Sequence, residues 1–380
     1  MKILIACDSF KGCMSAQQAC DSIKKGLLEA DCAQTICTCP MADGGEGFAE
    51  IMCRYIEGTM VEASTYDLLG KRITARYAWN EKRRLAVIDV ASCIGLSLYP
   101  RDQRNPMAAS SYGVGLLIKD AMRRKCSKII VGLGGSGTND GGMGILKAFG
   151  ARFYDEHRVQ LSPSAYNLER IAFIDKRSFY FDRDVNLVVA CDVKNRMLGK
   201  DGATYTFGRQ KGIFPSQMKR LDQAMDRYVK KVDQTFHVDI DAFDGSGAAG
   251  GIGGVLLGVF QAKMRPGIEV CMEYAKFEEA VKKADLVFTG EGQTDAQTLY
   301  GKVPFGIARV AKRHKVPVIC LSGALGPGYE PLYNEGVIGV FSTADRAMDF
   351  QTALSCGREK LEQLAFSIGK LINGIKEIER

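Results

Sequence analysis

Carboxylates set among glycines are the first chemistry legible in this chain. Asp8, Ser9 and Lys11 share the segment Asp8-Ser-Phe-Lys-Gly12, and Asp43 and Glu46 share Ala42-Asp-Gly-Gly-Glu-Gly47. Gly134, Gly135, Ser136, Thr138, Asn139 and Asp140 make up a third segment that runs on to Gly142. Asp192 closes an apolar run with Asn195 three residues on, and Glu291 and Asp295 lie either side of Gly292. Glycine lets the main chain come close to a phosphate, and a helix starting just after it offers unpaired N–H groups. Phosphoryl transfer asks for donors or Mg²⁺ on the phosphate oxygens, one or two carboxylates to hold that ion, and a base for the attacking hydroxyl. Lys11 and Lys302 could neutralise phosphate or carboxylate charge. Each acid alone could equally be a helix cap; the combination of acids, hydroxyls and a lysine on several loops carries the argument.

Several better-known phosphate motifs are absent. Gly134–Gly142 lacks the lysine of GxxxxGK[ST], the spacing GxGxxG is not met after Gly132, and no protein-kinase set occurs. The 13 cysteines include no CxxC pair and the three histidines, His157, His237 and His314, are far apart. That pattern reads as reduced thiols packed as small hydrophobes, and it fits a cytoplasmic protein better than a disulfide scaffold. A net charge of +7 suits anionic small substrates, and no aromatic-interleaved basic stripe argues for nucleic acid. The opening apolar run stops at Asp8, too early for a secretory signal. The uncharged stretch from Gly245 to Ala262 is glycine-broken and shorter than the ~20 residues of a membrane span.

The elements that must carry these loops follow from hydrophobic period and turn residues. Strands are expected at Lys2–Ala6, Ile36–Cys39, Lys128–Leu133, Leu187–Val193, Asp285–Thr289, Val316–Leu321 and Ile338–Ser342. Ser15 and Gln18 form a capping box ahead of a helix whose apolar face is Ala19, Ile23 and Leu27. Thr59–Ala63, Ile73–Trp79 and Leu85–Ala91, joined by turns, read as antiparallel strands. A helix after Pro215 presents Met218, Leu221, Met225 and Tyr228, and a long amphipathic helix closes the chain. Gly245–Gly254 and Gly290–Asp295 are expected as loops. Strand–helix alternation at both chain ends but not in the middle implies one α/β domain interrupted by a second. The boundaries expected are 1–65 with 284–380 for the first and 66–283 for the insert.

Six blocks together resemble the bacterial glycerate kinase family of the class I type. They are Asp8-Ser-Phe-Lys-Gly12, Pro40-Met-Ala-Asp-Gly-Gly-Glu-Gly47, Gly132-Leu-Gly-Gly-Ser-Gly-Thr-Asn-Asp-Gly-Gly142, Ala190-Cys-Asp-Val193 with Asn195, Gly247-Ala-Ala-Gly-Gly251, and Thr289-Gly-Glu-Gly292 with Asp295-Ala-Gln297. They occur in the family's order over nearly the whole chain, and Gly301-Lys-x-Pro304 continues the series. Gly137 and Cys13-Met14 depart from the family pattern without removing a polar group. The resemblance implies a Rossmann-like, flavodoxin-like parallel-sheet domain with a second α/β domain inserted, an active site in the cleft between them, and ATP, Mg²⁺ and D-glycerate as reactants, with 2-phosphoglycerate as product. Asp192 is the expected base, with Asp43 or Asp295 as alternates. Gly134, Gly135, Ser136, Thr138 and Asn139 are expected to hold phosphates, and Lys11, Asp8, Ser9 and Asn195 the substrate. Asp43, Glu46, Glu291 and Asp295 are the candidates for Mg²⁺. A kinase for another small hydroxy-acid or polyol, or a non-catalytic metabolite sensor, are the alternatives.

Overall fold

The computed structural model describes residues 1–378 and divides into two units, Met1–Asp43 with the chain from Ile268 on, and Gly44–Gly267. These divisions fall about twenty residues earlier than those expected from sequence. The strand Thr59–Tyr66 pairs along its full length with Arg72–Asn80 and so belongs to the second unit.

Along the chain, β1 (Lys2–Cys7), α1 (Ala16–Glu29) and β2 (Thr35–Thr38) open the first unit. The capping box at Ser15 and Gln18 is present, with reciprocal bonds at 3.2 and 2.9 Å. The second unit follows with α2 (Phe48–Tyr55), β3 (Thr59–Tyr66), β4 (Arg72–Asn80), β5 (Leu85–Asp89), α3 (Ala91–Ile94), α4 (Tyr112–Arg123), β6 (Lys128–Gly132) and α5 (Met143–Ala148). Three short strands, β7 (Arg152–Tyr154), β8 (Gln160–Leu161) and β9 (Phe173–Asp175), form a small sheet. Then come β10 (Asn186–Ala190), α6 (Ala203–Lys211), α7 (Pro215–Phe236), α8 (Ala248–Gly258) and β11 (Lys263–Arg265). The chain returns to the first unit through α9 (Gly267–Tyr274), α10 (Phe277–Val281), β12 (Leu286–Thr294), α11 (Val303–Arg313), β13 (Val318–Leu325), β14 (Val337–Ser342) and α12 (Phe350–Ile378).

The first unit's sheet is wholly parallel in the order β14-β13-β12-β1-β2. Counted within the unit, that is the flavodoxin-like order 2-1-3-4-5, whose switch point lies between β1 and β12. Apolar strand residues such as Ile3, Ile5 and Phe288 pack beneath Ile23 and Leu27 of α1 and Leu361, Ala365 and Ile368 of α12. The second unit has a six-stranded sheet, β11-β10-β6-β5-β4-β3. Its β3, β4 and β5 pair antiparallel, as their turn signals predict, and β5, β6, β10 and β11 run parallel. Met218, Leu221, Met225 and Tyr228 of α7 are all buried in this unit's core.

Four local expectations are corrected. Gly290–Asp295 is not a loop: β12 continues to Thr294 because β13 supplies a partner beyond Leu321, with Glu291 opposite Ser322 and Thr294 opposite Leu325. The run Leu187–Val193 ends as a strand at Ala190, where pairing with Gly132 and Arg265 stops, and Leu85–Ala91 ends at Asp89. Gly245–Gly254 enters α8 at Ala248, with Ala249, Gly250 and Gly251 in the left-handed region before the regular helix. All thirteen cysteines are free thiols. No helix among the described residues is long and apolar enough to cross a membrane.

Candidate active site

In the first unit the sheet's switch point collects acids. Asp8 follows β1, its N–H donating to the Gly290 carbonyl at 2.9 Å, so it stands beside Glu291 of β12. Asp8 is 5% exposed. Burial pushes its carboxyl well above the usual range, the Asp43 charge adds to this, and Lys11 opposes it. Its Oδ1 accepts the Ser9 N–H at 2.7 Å. Glu291 is also buried, and burial raises it against the pull of Lys302, 3.6 Å away, and of the hydroxyls of Thr298 and Thr294, which donate at 2.6 and 3.2 Å. Thr294 meets Ser322 at 2.7 Å, so this carboxylate is built into a chain of hydroxyls. Asp295 caps the short turn that follows, accepting from Gln297 N at 2.8 Å, and its other oxygen accepts from Gln293 Nε2 at 2.9 Å. Asp8, Lys11, Asp43 and Glu291 thus act on one another electrostatically, while Lys11 extends to the exposed side.

In the second unit the ends of β5, β6 and β10 lie side by side, with Gly132 opposite both Asp89 and Ala190. The glycine-rich loop leaves β6 here. Gly134 N–H donates to the Gly44 carbonyl and Gly137 N–H to that of Ile94, which tie the loop to its surroundings. The N–H groups of Gly135, Ser136, Thr138, Asn139 and Asp140 meet no protein acceptor among the described residues. Gly135 is exposed at φ +74°, the left-handed region that favours glycine. Thr138 Oγ1 and Asn139 Oδ1 are buried without a partner. Successive unpaired amides of this kind form an anion-binding concavity.

Asp192 lies just past β10, half-buried, and its Oδ1 accepts the N–H of Gly267, the first residue of α9, at 3.2 Å. Asn195 directs its amide to the Asp201 carbonyl at 2.7 Å. Glu46 is exposed and accepts from Ser97 Oγ at 3.0 Å.

Residues given no site role from sequence also belong to this edge. Asp89 ends β5, accepts from Ala49 N in the first turn of α2, and is raised by burial to about 6. Asp140 is buried beneath the loop, taking the N–H and Oγ of Ser111, both at 2.8 Å, with the N–H groups of Gly142 and Gly144. Lys211 reaches the loop from α6. In sequence Lys211 is a basic residue ahead of a helix-ending glycine, a pattern that reads as a solvated terminus.

A fit for Mg²⁺ can be judged on the donor set. No group of three or more His, Cys, Asp or Glu side chains among the described residues could hold an ion. Mg²⁺ commonly takes one or two carboxylates, several waters and the substrate's phosphates rather than a protein cage, so the acids present are compatible with it.

Acid-lined strand ends at a flavodoxin-like switch point and an amide-rich loop in a second α/β unit define a two-unit α/β protein equipped for a phosphorylated ligand. The chain belongs to the glycerate kinase family, whose model it matches over residues 3–373. It is 38% identical over 367 residues to a glycerate kinase of Halalkalibacterium halodurans, covering 96% of this chain and 97% of that one. It is 36% identical over 347 residues to a glycerate 2-kinase of Escherichia coli, covering 90% of each. A crystal structure described as that of a glycerate kinase 2 from Salmonella typhimurium LT2 superposes with a TM-score of 0.82 at 37% identity, covering 99% of both chains.

Proposed function

We propose that this chain transfers the γ-phosphoryl group of ATP to a hydroxyl of D-glycerate, giving 2-phosphoglycerate and ADP, with Mg²⁺ as the accompanying ion, in the cytoplasm. The observation that carries the reading is the glycine-rich loop after β6, where the N–H groups of Gly135, Ser136, Thr138 and Asn139 and the buried Thr138 hydroxyl lack protein partners among the described residues. In this reading Gly134, Gly135, Ser136, Thr138 and Asn139 hold the nucleotide's phosphates. The glycerate hydroxyl attacks the γ-phosphorus, the bond to the ADP oxygen breaks, and the hydroxyl proton passes to the Asp192 carboxylate. Asp192 is favoured as base because it follows the strand paired with β6, at the same sheet edge as the loop. Lys11 and Ser9 engage the acceptor's anionic and polar groups. Asp8 joins them as a polar contact to the acceptor, its carboxyl pushed up by burial. Asn195 supports the turn after Asp192 through the Asp201 carbonyl.

Mg²⁺, when bound, would neutralise charge developing on the transferred group. Asp43, Glu46, Glu291 and Asp295 are the carboxylates proposed for it; Glu291 already meets Lys302 and two threonine hydroxyls, and Asp295 caps the turn that follows. The relative from Escherichia coli, a glycerate 2-kinase, supports 2-phosphoglycerate as product. Phosphorus NMR of the product made from ATP and D-glycerate tests this directly, because the two phosphoglycerates resolve. A signal for 3-phosphoglycerate would reassign the acceptor hydroxyl. A panel of other hydroxy-acids and polyols that outpaced glycerate would reassign the substrate.

A further inference from the structure

α6 ends on Lys211, and the side chain runs inward: the residue is 2% exposed. Lysine is almost never buried to this extent unless paired. Its Nζ donates to the Thr138 carbonyl at 2.6 Å and to Ser136 Oγ at 3.4 Å, both in the glycine-rich loop. Gly212 follows at φ +101° and ends the helix, which fixes where the lysine starts its reach.

The bond to Thr138 has a consequence set by peptide geometry. In a trans peptide the C=O and the following N–H point in opposite directions. Holding the Thr138 carbonyl on Lys211 therefore turns the Asn139 N–H to the opposite side of the chain. That N–H is among those with no protein acceptor. A second anchor acts nearby: Gly141 N–H donates to the Gly250 carbonyl at 2.9 Å, and the main chain of Gly250 lies directly against Thr138 and Asn139. Asp140 is occupied by Ser111 and two glycine amides, so its charge is felt by the lysine without a direct bond.

We propose that Lys211 is a positioning residue for the phosphate loop, fixing the peptide after Thr138 so that the loop's amides face the nucleotide. This rests on the reading of Gly134–Asn139 as the phosphate site. With the amine removed, that peptide is free to turn over, and the amide cluster must be reassembled by the ligand at the ligand's expense in affinity.

The test uses the full-length protein, with ATP affinity read by calorimetric titration and turnover by ADP release. Lys211→Met keeps the length and apolar stem but donates nothing. Lys211→Gln keeps a donor for the Thr138 carbonyl. Losing this hydrogen bond leaves a buried carbonyl unpaired, which is worth enough that Lys211→Met should weaken ATP binding roughly ten- to hundredfold, with Lys211→Gln in between. KM for glycerate should stay within about twofold, a split that general loss of structure would not produce. Gly135→Asp serves as the control on the parent reading: aspartate tolerates the left-handed conformation and adds a negative charge that repels phosphate. If Gly135→Asp binds ATP as the wild type does, the loop is not the phosphate site. If Gly135→Asp is impaired while a folded Lys211→Met binds ATP normally, the loop assignment stands and the role given to Lys211 falls. Equal losses for ATP and glycerate, or failure of both lysine variants to fold, would make Lys211 a structural residue only and overturn the proposal.

Discussion

Asp192 accepts the Gly267 N–H, so two jobs compete for this carboxylate: capping α9 and taking a proton. Asparagine separates them, because it caps a helix as well as aspartate does but is no base. Asp192→Asn should lower kcat by about 10²–10⁴-fold with KM for ATP and the melting temperature nearly unchanged. Wild-type turnover would leave Asp192 the cap alone and move the base to Asp43 or Asp295. Lys211 makes a second residue-scale prediction. Burial lowers its amine to about 7 from the ordinary 10.5. Between those values the unfolded chain carries a proton that the folded chain does not, so stability rises with pH across that window and is level below it. In urea unfolding, the wild type should gain ~2–4 kcal/mol on Lys211→Met between pH 7 and 10. Parallel curves for the two proteins would show that the amine keeps its proton when folded.

At the scale of elements, the first unit depends on α1 and α12 lying close over one face of its parallel sheet. Gly26 makes that closeness possible: a Cβ there would run into the Glu362 carbonyl and the main chain of Phe366 on α12. Alanine is otherwise the better helix former, so helix propensity and packing make opposite predictions for Gly26→Ala. Backbone cannot give way as a flexible side chain can, so packing should win. The variant should be destabilised by ~1–3 kcal/mol in denaturant unfolding, with KM for both substrates unaffected in the folded fraction. A more stable variant would mean that α12 can shift outward without cost. β12 makes a related point. Its extension to Thr294 brings Glu291 into the sheet, where burial and a row of hydroxyls hold it, instead of leaving it on a flexible turn.

For the molecule as a whole, each unit has its own apolar core. ADP should appear only when glycerate and a divalent metal are both present, and excess EDTA should stop its release, since the metal neutralises charge during transfer. ADP formed equally with and without glycerate would mean a nucleotide hydrolase rather than a kinase. The net charge of +7 is in keeping with two anionic substrates.

Short-range physics was legible in the chain itself. The Ser15–Gln18 box, the stripe along α7 and the alternation of strands with helices depend on residues a few positions apart, and each appears as the spacing dictates. The six glycine-and-acid blocks marked the family for the same reason, because each is a contiguous segment. Tertiary structure alone decided what depended on distant partners. β12 ran past its glycines because β13 was there to pair with it, and β10 stopped at Ala190 because its neighbours' pairing stopped there. The division between units fell near Asp43 because β3 found its partner in β4. Lys211 was the least legible residue of all. Its contacts with Ser136 and Thr138 span more than seventy positions, and local sequence carries no trace of a bond that exists only once α6 is packed beneath the loop.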